Sequence, residues 1–593
     1  MSGSVHPAFA LLLGALFLPV FKGRLRQGWL IFLPILGLLN LQGFEAGTVW
    51  HFPFAGYELE ILRVDKLSLL FGYLFHLAAF LIAIYSLHVK DSIQHLTGLM
   101  YAGSAVGAVF AGDLITLFIF WELLAVTSVF QIWSRRTSRS YGAGLRYLLV
   151  QVTSGLMLLV GAALHYQQTG SLVFEIMTLS GLASWLIFFA IGIKCAFPLL
   201  HSWLVDGYPE ATPTGTVFLA SFTTKTAVYA LARGFAGTEE LIWIGAVMTM
   251  FPIFYAVIEN DLRRVLGYSM INQIGFMVAG IGLGEGMGVN GAVAHAFNDV
   301  IFKGLLFMSM GAVLFRAGKI NGTDLGGLYK SMPWTTGFCI VGASSISAFP
   351  LFSGFVSKSM VMQAAADQGH VVIWLLLLFA SAGVFHHAGI KIPFFAFFSH
   401  DSGIRCQEAP KNMLVAMGLS AFLCILIGCL PGPLYSILPY AVDYQPYTAT
   451  HVLLQLQLLF FSALAFTFLK LQGIYPPELR SVNLDVDWLY RKLLPATVRK
   501  IVRVVEPIRD RIYRGSKILI SSTISAVKRY HDPQGMWGRT WETGNSVLLT
   551  VLILRNVTSE SQEGMTRWNR PSRLEMKPME ATFKRSRNLS MIF

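Results

Sequence analysis

The sequence predicts an all-α polytopic membrane protein, and three observations predict it. Of 593 residues, 54% are hydrophobic and only 13% are charged, against about 25% charged in a soluble domain. Apolar runs of 17 or more residues recur along most of the chain, each long enough to cross a ~30 Å hydrocarbon core as a helix. The tetrapeptide AFPL occurs at 196–199 and again at 348–351, both times in an apolar span that also holds a lysine. Proline removes a helix hydrogen bond and clashes with the preceding turn. Such a break is tolerated at membrane depth only inside protein or beside a watery cavity. Paired interrupted helices in two halves point to a transporter built from inverted repeats.

Taken in order, the predicted spans lie near 7–21, 28–43, 66–88, 95–111, 113–133, 142–165, 181–204, 214–235, 240–258, 268–284 and 289–315. Four more follow near 336–366, 372–394, 411–430 and 451–470, making fifteen. Alternate loops carry the basic anchors: Lys22/Arg24/Arg26, Lys90, Arg135/Arg136/Arg139, Arg263/Arg264, Arg316/Lys319/Lys330 and Arg405/Lys411. The loops 166–180, 285–288, 367–371 and 431–450 contain no Lys or Arg. By the positive-inside rule the N-terminus faces outward. The loop after the second span, with Arg63 and Lys66, is the weak exception. The net charge of +13 belongs mostly to these anchors and argues for no nucleic acid. Ser2–Pro7 lacks a basic leader, so no cleavable signal peptide is expected. The five cysteines include no C-x-x-C pair and read as small hydrophobes.

Charges inside the spans are the informative residues. Lys194 follows eighteen uncharged residues, and the next charge is Asp206. Glu122 lies inside the fifth span, Lys225 inside the eighth, Lys303 inside the eleventh and Lys358 inside the twelfth. An ammonium at such a depth costs about 2.5–3.5 kcal/mol on insertion scales. Snorkelling toward the interface explains one or two such residues. Five mid-span charges, four of them lysines, instead mark an ion path or proton relay, a role that suits lysine because desolvation brings its pKa toward neutrality. In "HAFNDVIFK", His295, Asp299 and Lys303 stand at i, i+4 and i+8, along one side of a helix. No dinucleotide or Walker motif and no cysteine cluster for an iron–sulfur centre occurs, so no cofactor is expected. His386 and His387 are adjacent and make a poor haem pair.

These residues stand in a motif set: "FWELL" around Glu122, K-x₃-P-x₂-H-x-WL-x-D from Lys194 through Pro198 and His201 to Asp206, and "KTAVYALAR" from Lys225. "ENDLRRVLGYSMINQIGFM", H-x₇-K-x-LLF and "FSGFVSK" complete it. The set resembles the antiporter-like membrane subunits shared by respiratory complex I and the Mrp-type multisubunit cation/proton antiporters, and is most similar to the D-type subunit of the latter. The resemblance covers roughly 60–430. It implies two inverted five-helix bundles, spans 4–8 and 9–13, each holding a half-channel. Carried over, Glu122 pairs with Lys194, Lys225 passes protons to the second bundle, and His295 and Lys303 connect to Lys358. Asp299 stands where the family often has histidine. That replaces a group titrating near neutrality by one normally ionised at pH 7, which leaves room for a cation or a fixed counter-charge to Lys303. Pro350 interrupts the twelfth span as Pro198 interrupts the seventh.

The expected organisation is therefore 1–94 N-terminal helices, 95–235 first repeat, 236–394 second repeat, 395–475 C-terminal helices, 476–554 an amphipathic lateral helix with a short apolar segment, and 555–593 a basic tail. Arg491, Lys492, Arg499, Lys500, Arg503 and their neighbours alternate with Val498, Ile501, Val505, Ile508 and Ile512. This pattern suits an interfacial helix, interrupted near Pro495 and Pro507. The family carries a lateral helix there that braces a neighbour, which implies other membrane subunits as partners. The segment 546–554 is too short to cross, leaving a disordered tail on the cytoplasmic side of a cell inner (plasma) membrane. Three functions fit. The first is translocation of H⁺ and Na⁺ within a cation/proton antiporter. The second is pumping within a redox-driven or hydrogenase-type complex, with no redox centre in this chain. The third is the membrane module of an inorganic-carbon uptake complex. The buried charges count against the third if that module does no transport.

Overall fold

The computed structural model describes residues 5–531 apart from 285, 477 and 480–482, together with 548, 550–552, 554 and 555. The tail expected from 556 onward lies outside the described residues. The chain divides after Asp487 into two units.

The first unit is helical save for one hairpin. After α1 (Phe9–Ala15) and α2 (Gly23–Leu41), strands β1 (Val49–Phe54) and β2 (Tyr57–Arg63) pair antiparallel. This hairpin departs from the all-α expectation, and it holds Arg63, the residue that broke the positive-inside pattern. Then come α3 (Lys66–Ser86), α4 (Ser92–Phe110), α5 (Leu114–Trp133), α6 (Ser138–Thr169), α7 (Leu182–Cys195), α8 (Ser202–Gly207), α9 (Gly215–Ser221) and α10 (Thr223–Gly234). A second run comprises α11 (Glu239–Ile258), α12 (Leu262–Gly282), α13 (Met287–Ala317), α14 (Pro333–Ile346), α15 (Ser353–Asp367) and α16 (Val371–Val384), the last continued by π-helical turns at Phe385–Lys391 and Phe394–Phe398. The unit closes with α17 (Lys411–Cys429), α18 (Gly432–Ser436) and α19 (Ala449–Leu471).

Among the described residues nine helices are long and apolar enough to cross a membrane: α3, α5, α6, α11, α12, α13, α16 with its extension, α17 and α19. This is a multi-pass membrane protein. The other six expected spans are helical too, but differ in form. The first is a single short helix, α1, rather than 7–21, and α2 and α4 are of full length with lower hydropathy. The seventh, eighth and twelfth are each divided in two. The proline foretold the first and last of these breaks. The eighth was expected to be continuous, yet it breaks at Phe222 (φ −112°, ψ −65°) with no proline or glycine there.

Local chemistry repeats between the two runs. Asp113 caps α5 by accepting from Ile115 N and Thr116 N, and Asp261 caps α12 from Arg263 N and Arg264 N. A side-chain oxygen at this position satisfies free helix-start donors. Asp113 also bridges to Val173 and Asp261 to Asn321; each position in the second bridge stands 148 residues after its counterpart. The AFPL breaks repeat in backbone as well. Ala196 (φ 62°) and Leu199 (φ 69°) match Ala348 (φ 57°) and Leu351 (φ 75°). Side chains rarely adopt this left-handed conformation. Its recurrence at the same two letters of both tetrapeptides marks one device used twice.

The second unit contains a π turn at Leu489–Leu493 and the helix α20 (Leu494–His531). The helix runs unbroken through Pro507, against the expected interruption, whereas just before Pro495 the α pattern gives way to the π turn. Val498, Ile501, Val505, Ile508 and Ile512 are exposed. Among the described residues, 474–476, 478, 479 and 483–486 carry no helix, and the first unit ends at Asp487.

Candidate functional site

In the first run Lys194 occupies the last turn of α7, fully buried. Its Nζ donates to the Trp121 carbonyl at 2.6 Å and lies 4.6 Å from the centroid of the Trp121 ring. Glu122 is the next residue on α5, and its Oε1 is buried with no donor. No ion pair joins the two. The expected Glu122–Lys194 pair is thus open in this structure, because a backbone carbonyl and an aromatic face hold the ammonium instead. Gly155 on α6 makes room for Glu122: a Cβ there would overlap Oε1.

Beyond the break, His201 and Asp206 are latched. His201 Nε2 lies 3.2 Å from Asp485 Oδ1, and the Tyr268 hydroxyl donates to Asp485 Oδ2 at 2.7 Å. Burial raises the Asp485 carboxyl, but the hydrogen bonds from His201 and Tyr268 outweigh it and hold the group below its ordinary value. Asp206 receives both arms of Arg146, at 2.7 and 3.1 Å. Pro198 and Pro350 occupy the two breaks.

A fully buried ion pair joins α10 to α13. Lys225 Nζ stands 2.6 Å from Asp299 Oδ2, both side chains 0% exposed. It also donates to the Ala220 carbonyl at 3.2 Å, beside the Phe222 break. The expected partner of Asp299 was Lys303. Lys303 instead donates to Ser269 Oγ at 2.8 Å. Helical spacing places Asp299 and Lys303 along one side of α13, but the ammonium from the broken helix facing them takes the carboxylate. Further along, His295 lies 3.0 Å from Ser357 Oγ through Nδ1 and 3.1 Å from Gln273 Oε1 through Nε2. Since Gln273 Oε1 can only accept, Nε2 carries the proton. Asn298 donates to the Ser353 carbonyl and Ser357 Oγ. Lys358 donates to the Ile346 carbonyl at 3.0 Å, where α14 ends, and lies 5.0 Å from the Phe276 ring centroid. A cavity of about 260 Å³ reaches Lys358 and is lined also by Ser359, Gln363, His451 and Gln455.

Several ionic side chains buried in the structure escaped the sequence reading, among them those of Arg263, Lys391, Glu478 and Asp485. Arg263, taken there as a loop anchor, is 1% exposed and donates to the carbonyls of Tyr208 and Ala211 and to Thr216. Lys391 is fully buried, with Nζ donating to the carbonyls of Ala256, Val257 and Glu259 and pairing with Glu478 at 2.9 Å. Glu478 and Asp485 lie in the irregular stretch after α19, where no periodicity signals burial. Lys391 was legible as a lysine near the end of an apolar span.

A family model described as the transmembrane part of NADH:quinone oxidoreductase/Mrp antiporter matches residues 111–384, which contain every lysine of the line just described. The chain is 28% identical over 490 residues to the A-type subunit of the Na⁺/H⁺ antiporter of Alkalihalophilus pseudofirmus, covering 72% of this chain and 61% of that one. It is 28% identical over 433 residues to hydrogenase-4 component B of Escherichia coli, covering 63% of each. It thus spans about three fifths of the length of these curated relatives. In fold it is similar to a chain of the membrane-bound sulfane sulfur reductase, an archaeal respiratory membrane complex, with TM-score 0.68, 22% identity, and coverage of 92% of this chain and 99% of that one. Over residues 111–384, less than half of its length, the chain is thus similar to the NADH:quinone oxidoreductase/Mrp antiporter family of membrane subunits.

Proposed function

We propose that this chain is a proton- and monovalent-cation-translocating subunit, of the D type, of a multisubunit cation/proton antiporter. It works in the inner (plasma) membrane beside other membrane subunits, with Na⁺ as the exchanged cation. The observation that carries the reading is the buried ionic line through both runs of helices: Glu122 and Lys194, the Lys225–Asp299 pair, then Lys303, His295 and Lys358. The four lysines are 0–1% exposed. Charges so placed are functional by default. Lys194 turning toward Glu122 or away to the Trp121 carbonyl provides the two states of a proton transfer. His201, Asp206, Pro198 and Pro350 shape the broken helices around it. Lys194→Ala and Glu122→Ala are each expected to abolish cation-dependent proton movement in vesicles while the protein still assembles. Wild-type exchange by either assembled variant would remove the reading.

A second reading is favoured by the likeness to hydrogenase-4 component B and to the sulfane sulfur reductase chain. Here the same line serves a redox-driven pump whose partner subunits hold the cofactors. Proton movement driven by a Na⁺ gradient without any reductant supports the antiporter; movement only with reductant supports the pump.

A further inference from the structure

Among the fully buried titratable side chains that the line above leaves unused is a histidine with unpaired ring nitrogens. His387 stands in the π-helical turn Phe385–Lys391. Neither of its ring nitrogens completes a well-aligned hydrogen bond, although the Gly383 carbonyl one turn back lies near the ring. At least one nitrogen is therefore orphaned, and the Ser381 hydroxyl on α16 is buried and orphaned as well. Buried polar groups are nearly always paired with protein or with ordered water, and these two orphans stand on adjoining turns of one helical run. The π geometry is a second sign, since such turns recur at functional sites. Gly389 lets this turn approach Ser347, next to the carbonyl that holds Lys358; a Cβ there would overlap Ser347 Oγ. In the first run Lys225 likewise follows a backbone irregularity in the helix after the AFPL break.

The π turn packs against α12, where Ser269 receives the Lys303 ammonium at 2.8 Å, and Lys391 stands four residues further along the turn's own helix. Lys391 is tied to Glu478 at 2.9 Å. Burial pushes the Glu478 carboxyl above its ordinary range in spite of Lys391. By the positive-inside pattern this end faces the cytoplasm, because the next loop carries Arg405 and Lys411. The neighbouring His386 points elsewhere, its ring 5.4 Å from both Phe466 and Tyr475.

We propose that Glu478, Lys391 and His387 form a cytoplasmic branch that delivers protons to Lys303 in the second bundle, with His387 as the carrier. The step balances as a proton transfer alone. One ring nitrogen accepts a proton from water admitted past the Glu478–Lys391 pair, the other releases one to the neutral amine of Lys303, and the imidazole resets its tautomer. Two nitrogens on one ring make this possible. The branch rests on the translocation reading above but is tested apart from it.

In the full chain with its five cysteines changed to serine, His387→Cys and Ser381→Cys should each react with a membrane-impermeant thiosulfonate from the cytoplasmic face only. Reaction only from the outer face, or at neither position, overturns the branch, and this readout needs no transport. In membranes holding the assembled protein, His387→Ala should lower proton movement about 10-fold or more, as loss of a positioned proton carrier does. 4-Methylimidazole added on the cytoplasmic side should restore it in a concentration-dependent way, and His386→Ala should match wild type. Full activity of His387→Ala, or a loss that imidazole leaves untouched, overturns the carrier role. Membranes in which the wild type itself moves no protons count against the translocation reading, and labelling then decides the branch.

Discussion

Replacing Asp299 by asparagine tests which lysine that carboxylate serves. At 2.6 Å the Coulomb attraction to Lys225 amounts to about 6 kcal/mol at an effective dielectric constant of about 20. Desolvation of both ions opposes it, so the pair's net worth is smaller. Removing one partner of a buried pair nevertheless costs about 3–5 kcal/mol, because the other charge is left buried and alone. The Ala220 carbonyl at 3.2 Å offsets part of this, which places Asp299→Asn near the lower end, at about 3 kcal/mol. The decisive quantity is a coupling. Stability of the detergent-solubilised protein would be measured for Asp299→Asn, Lys225→Met, Lys303→Met and the two doubles that contain Asp299→Asn. Residues in one ion pair couple by about 0.5–3 kcal/mol, so the cycle with Lys225 should fall in the upper half of that range. The cycle with Lys303, whose ammonium is on Ser269, should fall below about 0.5 kcal/mol. A larger coupling to Lys303 than to Lys225 would refute the assignment.

Gly155→Ala should displace the Glu122 carboxylate and reduce proton movement about 100-fold, the scale on which a misplacement of an ångström acts. Gly142→Ala in the same helix, where the nearest atom to a new Cβ is 3.5 Å away, should leave the rate unchanged, and equal rates in both would sink the argument. In the loop before α17, hydrogen bonds from Arg405 and Lys330 hold the Asp401 carboxyl well below the usual range. A depressed value means its contribution is complete above the unfolded value near pH ~4 and is lost as pH falls below it. Amide exchange of residues 400–405, corrected for intrinsic rates, should therefore stay slow from neutral pH to about 5 and quicken only in stronger acid, whereas Asp401→Asn quickens it at neutral pH.

What the sequence made legible follows from what a bilayer penalises. Apolar length exposed the helices, and charges inside that length exposed Glu122, Lys194, Lys225, Lys303 and Lys358. Proline in a repeated tetrapeptide located two of the breaks. The break at Phe222 had no such letter, because tertiary packing rather than a missing amide donor interrupts the helix there. The caps at Asp113 and Asp261 were readable as an aspartate–leucine step before two apolar runs, but a dipeptide is too short to reveal a repeat without the bridges to Val173 and Asn321. Pairing was the least legible. Spacing along α13 linked Asp299 to Lys303 and could not register Lys225, which arrives from a different helix. Asp485 and Glu478 were invisible for a related reason: their burial depends on an irregular segment folding back on His201 and Lys391.

The two breaks also explain how one backbone device supports unlike chemistry. Interrupting a helix frees carbonyls that point along its axis and carry the partial negative charge of a helix C-terminus. Within a membrane each must find a donor. At the first break neutral donors serve: Trp203 Nε1 reaches the Ile193 carbonyl at 2.9 Å, and Ser154 Oγ reaches that of Ala190 at 2.6 Å. At the second break an ammonium serves, since Lys358 takes the Ile346 carbonyl. Lys194 is thereby left free to sit on the Trp121 carbonyl beside Glu122, while Lys358 is anchored at the break itself. The backbone repeats and the charges do not. A relay of identical sites would have no preferred direction; in the proposed relay, a lysine held on a carbonyl and a ring beside Glu122, an ion pair next and a lysine anchored at a helix break would give successive protons unequal resting places. Exchanging Lys358's role for a neutral donor would make the second break resemble the first and remove that inequality without disturbing the scaffold.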